Sequence, residues 1–132
     1  MNLTFIEEQN SEEPYWSSFF KFKPTNSAIE LVLYNHKNGY EKGPLNWFYE
    51  IKNEYLLNEK QLFEFINQEI GQVRPLSKET YSRTNLTLNS IAILKEFKTK
   101  ELWELDFCCN NDIEHLVIEM NKWNPYHLST WA

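Results

Sequence analysis

Apolar and polar residues alternate over four short stretches in the first half of the chain, residues 3–7, 16–22, 29–33 and 45–51. Alternation with a period of two is typical of strands that bury one face. Asn38-Gly39 lies between the last two stretches and suits a tight hairpin turn, because both turn residues need a positive φ. The pattern therefore predicts four strands, of which the third and fourth form a long hairpin.

A helical period follows this alternation. Asn58 is a predicted N-cap with Gln61 at the capping-box position, and Gly71 offers a C-cap. Between the caps, one helical face collects the apolar residues Leu62, Phe63, Phe65, Ile66 and Ile70. The sequence predicts a first helix over residues 58–71, followed by an irregular connection.

In the second half, apolar residues alternate on both sides of the polar residues 98–101. They are Ile91, Ile93 and Phe97 before this stretch, and Trp103, Leu105 and Phe107 after it. In a single helix these side chains would be scattered around the whole circumference, so a second hairpin is predicted.

A second helix is predicted near the C-terminal end. Asn111-Asp112 suits an N-cap with an acid in the first turn, and Asn124-Pro125 suits a stop. The predicted buried stripe consists of Ile113, Leu116, Val117, Met120 and Trp123. The order β-β-β-β-α-β-β-α predicts a single α+β domain over residues 1–132, with a mainly antiparallel sheet of about five or six strands and two main helices packed on one face.

Composition adds an electrostatic constraint to this picture. The net charge is −6, and an acidic segment before residue 14 contributes two thirds of it. An acidic chain disfavours binding to nucleic acid and to anionic membranes, and it favours a basic protein partner. The start of the chain shows no secretory-signal pattern, and the adjacent Cys108 and Cys109 disfavour a disulfide with each other, so we expect a reduced, cytoplasmic protein.

Two groups of residues were candidates for chemistry. His115 and Glu119 share the polar side of the predicted last helix with Asp112, but no other His or Cys cluster completes a metal site, so a solvated helix face is favoured. A catalytic cysteine needs a histidine partner, which sequence alone does not assign to Cys108 or Cys109, so these are interpreted as small apolar residues. The sequence predicts no catalytic residue, no metal and no cofactor.

The aromatic residues divide into two groups. Most Trp residues fall on predicted apolar faces, whereas several Tyr residues fall in turns or on opposite faces. Exposed aromatic rings beside carboxylates are typical of protein-binding surfaces. The predicted partner-binding residues are Glu7, Glu8, Glu12, Glu13, Tyr15, Tyr40 and Glu41.

Small size, acidity and aromatic richness favour a protein-binding inhibitor over an enzyme. In these general features the chain resembles bacterial toxin-immunity proteins of the contact-dependent or polymorphic-toxin kind, although no motif carries the resemblance and no residue role is transferred. The resemblance implies a cytoplasmic monomer or homodimer that neutralises a basic toxin domain, with nucleases among the candidates. Two alternatives stay open: a dimeric secretion or effector chaperone, and a small enzyme whose acid–base residues, such as His36, Glu50 and His127, meet on folding.

Overall fold

One sheet and one long helix dominate the structure. The computed structural model describes residues 3–8, 15–34, 42–75, 79–94, 101–110 and 113–131. In chain order the elements are β1 (Ile6–Glu8), β2 (Tyr15–Phe22), a short 3-10 turn (Lys23–Thr25), β3 (Ser27–Tyr34), α1 (Lys42–Val73), β4 (Leu86–Ile93), β5 (Leu102–Cys109), β6 (His115–Asn121) and β7 (Asn124–Trp131). The α+β class is confirmed, but the described residues form one main helix rather than the predicted two.

The seven strands lie in the sheet in the same order as in the chain. Neighbours are antiparallel except β3 and β4, which are parallel and pair Leu31 with Ile91. A parallel pair needs a crossover connection, and α1 lies within it. Two tight reversals use a residue with positive φ, Asn26 (53°) between β2 and β3 and Lys122 (48°) between β6 and β7. The sheet is therefore two antiparallel blocks, β1–β3 and β4–β7, joined side by side.

The core lies between α1 and one face of the sheet. Alternate strand residues supply one side of it, and the apolar stripe of α1 supplies the other. At one end, the ring of Trp103 lies 5.9 Å from that of Trp47 and 5.2 Å from that of Trp123. The indole N–H of Trp103 donates to the Lys122 carbonyl oxygen, and that of Trp123 donates to Glu54 (2.7 Å). Packing and hydrogen bonding together fix this end of the helix on the sheet.

The predicted strand over residues 45–51 and its hairpin with residues 29–33 are wrong, because residues 45–51 belong to α1. Trp47, Phe48, Ile51 and Tyr55 are buried at helical spacing. Asn58 lies in mid-helix instead of capping it, and its Nδ2 donates to the Glu54 carbonyl oxygen at 2.9 Å. Gly71 also lies within the helix, and Asn38-Gly39 lies outside the described residues.

The predicted second helix is also wrong. Residues 115–121 form β6, in which Leu116, Ile118 and Met120 are fully buried while Val117 and Glu119 lie on the opposite face. The hairpin predicted just before it is confirmed as β4–β5, with antiparallel pairing between residues 86–93 and 103–109. None of the helices in the described residues is long and apolar enough to span a bilayer.

Candidate functional site

The face of the sheet turned away from α1, here called the outer face, carries most of the chemistry-bearing strand residues. It includes Ile6, Tyr15, Ser17, Phe19, Lys21, Ala28, Glu30, Val32, Tyr34, Thr87, Ser90, Ala92, Glu104, Asp106, Cys108, His115, Val117, Glu119, His127, Ser129 and Trp131. Strand alternation places them there, because their neighbours in sequence fill the core. The outer face is uneven: Ser17, Val32 and Ala92 are buried, whereas Phe19 and Trp131 are 71% and 49% exposed.

Carboxylates dominate the charge of the outer face. Glu30, Glu104, Asp106 and Glu119 lie on it, and Lys21 is the one Lys or Arg among its described strand positions. Glu104 pairs directly with Glu119 across β5 and β6, where like charges repel. Burial raises the pKa of Glu104, and the charges of Glu119 and Asp106 raise it further. The middle of the outer face therefore concentrates carboxylates, of which Asp106 contacts His115 and Glu119 lies 3.7 Å from Nε2 of His127.

A second feature is the contact of Asp106, His115 and Trp131. Oδ1 of Asp106 lies 2.6 Å from Nδ1 of His115, and the imidazole stacks on the indole of Trp131 with ring centroids 4.0 Å apart. The side chains of His115 and Asp106 are only 19% and 13% exposed. Burial raises the pKa of Asp106, and the hydrogen bonds from His115 and Trp131 act against that rise. This cluster places a largely buried carboxylate beside an exposed indole at the β7 edge.

Cys108 lies beside the same imidazole. Its Sγ is 3.6 Å from Nδ1 and 4.0 Å from Nε2 of His115. A sulfur almost equidistant from both ring nitrogens does not lie along the lone pair of either, as proton transfer requires, and Nδ1 is already bonded to Asp106. Burial, followed by the charge of Asp106, raises the pKa of the Cys108 thiol, which opposes formation of a nucleophilic thiolate. The arrangement favours a structural contact over acyl-transfer chemistry.

The structure describes only some of the predicted partner-binding residues. Four lie outside the described residues: Glu12, Glu13, Tyr40 and Glu41. Glu7 and Glu8 lie in β1 opposite Trp16 and Tyr15, although their side chains are outside the described part. Tyr15 is half-buried on the outer face, with its ring 5.6 Å from that of Tyr34. Their binding role stays a prediction.

Sequence reasoning missed the outer-face carboxylates and the His115 contact. The assignment of residues 113–123 to a helix placed His115 and Glu119 on one solvated helical face. On β6 they are four residues apart along a strand, about 13 Å, too far to share a metal ion. The available signal was the alternation of Glu104, Asp106 and Cys108 with buried Trp103, Leu105 and Phe107, which already marked a polar second face.

Among the described residues, no three His, Cys, Asp or Glu side chains are grouped so that they could hold a metal ion. The chain matches no protein-family model, no curated protein and no solved structure. Its function has to be inferred from its own residues.

Proposed function

We propose that this protein is a stoichiometric protein-binding inhibitor, an immunity protein that neutralises a basic toxin domain, and that its outer face binds the toxin. The observation that carries the proposal is the combination of exposed apolar side chains with carboxylates on one face. Phe19, Ile6 and Trp131 are 71%, 59% and 49% exposed there. Large exposed apolar side chains mark interaction sites when they share a surface.

The outer face has the dimensions of a protein interface. Seven strands spaced about 4.8 Å apart, most with seven or eight residues at about 3.3 Å each, give a face of about 29 by 25 Å, on the order of 700 Å². A standard stable interface buries about 800 Å² on each partner. Because Ser17, Val32 and Ala92 are buried within this area, a docked domain would contact the exposed remainder of the face.

The charge of the outer face supports a basic partner. The carboxylates of Glu104, Asp106 and Glu119 lie on adjacent strands, and the chain as a whole carries a net charge of −6. A basic surface would be drawn to this face and oriented by it, which increases the association rate at low ionic strength. A lysine or arginine placed between Glu104 and Glu119 would also relieve the repulsion of that pair.

The same face supports inhibition better than catalysis. An enzyme of the acid–base or nucleophilic kind needs a reactive group aligned with its partner and open to substrate. Cys108 has a raised thiol pKa and no aligned base, and Asp106 is hydrogen-bonded to His115. These groups stabilise the outer face, whereas Phe19 and Trp131 keep exposed aromatic surface that a second molecule could contact.

The proposal is tested by recovering the partner and then weakening its site. Tagged protein expressed in its own cells should retain a basic protein in a one-to-one complex, and that protein should be toxic when expressed without the inhibitor. We expect Phe19→Ala to weaken the purified complex at least about tenfold, because it removes a large exposed aromatic side chain from the proposed contact surface. The double variant Glu104→Gln/Glu119→Gln should slow association and flatten its dependence on salt.

Matched controls come from the exposed side of α1. Leu57 is 85% exposed, and the Glu64 side chain is 59% exposed, so Leu57→Ala and Glu64→Gln remove the same kinds of group elsewhere. Equal weakening by control and outer-face variants would contradict the proposed surface. A partner that binds only in unfolded form, to a dimer of this chain, would instead favour the secretion or effector chaperone.

A further inference from the structure

One edge of the sheet, β7, is long and uncharged. Its residues, Asn124–Trp131, pair with β6, and among the described residues no second strand pairs with it. The opposite edge, β1, has only three residues, two of which are glutamates. Natural proteins protect edge strands by shortness and by charge, and β7 contains no Lys, Arg, Asp or Glu. The edge that is open to a further strand is therefore β7.

The strand pairing shows which backbone groups β7 directs away from the sheet. On the other side of β6, the N–H of Cys109 donates to the Glu114 carbonyl oxygen at 3.0 Å, so the even-numbered residues of β6 direct their backbone groups towards β5. The odd-numbered residues of β6 bond to β7 instead. Their partners there are His127, Ser129 and Trp131. The N–H and C=O groups of Leu128 and Thr130, which lie between these partners, therefore point outwards.

Regular pairing with a further strand is limited to residues 127–131. Pro125 has no N–H group, and the register between β6 and β7 is interrupted beside it. The centre of the regular segment is Ser129. When this segment pairs with a copy of itself in antiparallel orientation, the two Ser129 residues lie opposite each other, and Leu128 lies opposite Thr130. The outward-pointing residues of the two copies then exchange backbone hydrogen bonds.

The side chains of this segment also match their own copy. The indole of Trp131 stacks on His115 with ring centroids 4.0 Å apart and is still 49% exposed, so its second ring face is open at the edge. In the self-pairing, His127 of the second copy lies opposite Trp131 at a non-hydrogen-bonded position, where side chains are closest. Trp131 would then have an imidazole on each ring face, and no like charges would be opposed along the segment.

From these observations we propose that two copies of this chain associate through β7, by antiparallel pairing of residues 127–131 about a two-fold axis at Ser129. The axis is perpendicular to the sheet, so both outer faces lie on one side of a continuous sheet and both α1 helices lie on the other. Phe19 is on β2, far from the seam, and stays available to the proposed toxin surface. The self-pairing goes beyond the proposed inhibition and does not depend on it.

The dimer should be weak, and salt should strengthen it. Residues 127–131 span about 16 Å of strand, so the interface is smaller than the roughly 800 Å² per partner of a standard stable interface. Each chain carries a net charge of −6, and salt screens the resulting repulsion. We expect a Kd on the order of 100 µM that falls as salt is added. The association rate with a basic toxin should respond to salt in the opposite direction.

Sedimentation equilibrium of the purified full chain, without toxin, tests the self-pairing separately from the proposed inhibition. Dimers should predominate at concentrations well above the expected Kd. In a mixture of isotope-labelled and unlabelled chains, an isotope-filtered NOE should join the Hα protons of the two Ser129 residues, which approach closely in a non-hydrogen-bonded pair. A chain that stays monomeric at a concentration about tenfold above that Kd, or a dimer without this NOE, would overturn the proposal.

Exchanging charges at the two-fold axis distinguishes loss of pairing from loss of folding. Ser129→Lys and Ser129→Glu each place like charges opposite one another, so each protein alone should dimerise about fivefold more weakly than the parent. An equal mixture should recover association, because opposite charges then face each other. Thr87→Lys, at an exposed position of β4, changes the net charge as Ser129→Lys does and should not weaken the dimer. Unweakened dimers of both Ser129 variants, or no recovery on mixing, would contradict the two-fold axis.

Thr130→Pro tests the backbone pairing itself. It removes an N–H group that points away from β6, so the chain should still fold, and it should remain monomeric at concentrations where the parent dimerises. Dimerisation of the folded variant with unchanged affinity would overturn the pairing. A monomeric parent whose toxin binding is weakened by Thr130→Pro would show that β7 pairs with a strand of the toxin rather than with its own copy.

Discussion

The two faces of the sheet are formed by the same strands but differ in composition and in packing. Against α1, every described position of the middle strands β5 and β6 is filled by a buried apolar side chain. On the outer face, the same strands carry Glu104, Asp106, His115 and Glu119, with two carboxylates directly opposed. Packing explains the first face completely. The second face retains the directly opposed carboxylates of Glu104 and Glu119, and this difference is the basis for proposing it as the partner-binding face.

The largest expected effect on stability comes from comparing the two faces of one strand, β6. Ile118 is fully buried against α1, and Val117 beside it lies on the outer face. Ile118→Ala should lower the free energy of unfolding by about 2–5 kcal/mol, because it leaves a cavity in a closely packed core. Val117→Ala should lower it by about 1 kcal/mol, near the average for any substitution. Urea unfolding measures both, and equal losses would mean that the outer face is packed as tightly as the core.

The next effect concerns the structural cluster on the outer face. His115→Ala should lower the free energy of unfolding by about 1–3 kcal/mol, because the half-buried Asp106 loses a hydrogen-bonding partner. In the parent protein, the hydrogen bond and the charge of His115 hold down the pKa of Asp106 against the effect of burial. Without them, this pKa, measured by carboxyl NMR titration, should rise further. His127→Ala removes a more exposed histidine that lies 3.7 Å from Glu119, and it should change stability by less than about 0.5 kcal/mol, because exposed ion pairs contribute little. An unchanged pKa of Asp106 would contradict the contact.

A smaller expected effect is an increase, rather than a decrease, in the free energy of unfolding. Glu104→Gln should raise the free energy of unfolding at pH 7 by about 0.2–1 kcal/mol, because it removes the repulsion from the directly opposed Glu119. Glu50→Gln, on the exposed side of α1, should have no comparable effect. A stabilised variant that also binds its partner less well would show that the repulsion is retained for binding. Destabilisation by Glu104→Gln would show that the pair contributes to folding instead.

The smallest expected effect is the pH dependence of that gain. The pKa of Glu104 is raised in the folded protein, so the folded state binds its proton more tightly than the unfolded state. Stability contributed at this position is therefore present at low pH and is lost as pH rises through the raised pKa. The advantage of Glu104→Gln should be largest at pH 7 and should vanish near pH 3, well below the ordinary glutamate pKa of about 4.3, where the carboxyl group is protonated in both states. A gain that stays constant over this range would exclude charge as its cause.

The core face was largely predictable from sequence where strands alternate strictly. Residues 103–107 alternate without exception, and β5 was predicted correctly with its β4 partner. Residues 113–123 fit both the strand period and the helical period, because Val117 and Ile118 are adjacent apolar residues. The strand pattern uses Leu116, Ile118 and Met120. The helical pattern uses Ile113, Leu116, Val117 and Met120. Only pairing with β5 decides between them, and pairing is a long-range property.

The helix was misjudged for a related reason. Trp47, Tyr49 and Ile51 alternate as in a strand, and Asn58 is a residue type favoured at N-caps, yet all four lie within α1. Two side-chain contacts, that of Asp106 with His115 and the ion pair of Glu59 with Arg83, join residues from separate elements. Neither leaves a local pattern, so neither could be predicted before the fold was known.

The parallel joint between β3 and β4 determines how the chain must assemble. Leu31 and Ile91 pair across it although about sixty residues separate them in the chain. Strands β4–β7 form a local meander, whereas β1–β3 join it only after the long segment containing α1 has closed, which is the slow, entropically costly kind of contact. During synthesis, α1 and β1–β3 are made first, and the part of the helical stripe that packs on β4–β7 stays uncovered until the last four strands follow. The nascent chain is therefore most prone to aggregation just before its C-terminal half is complete.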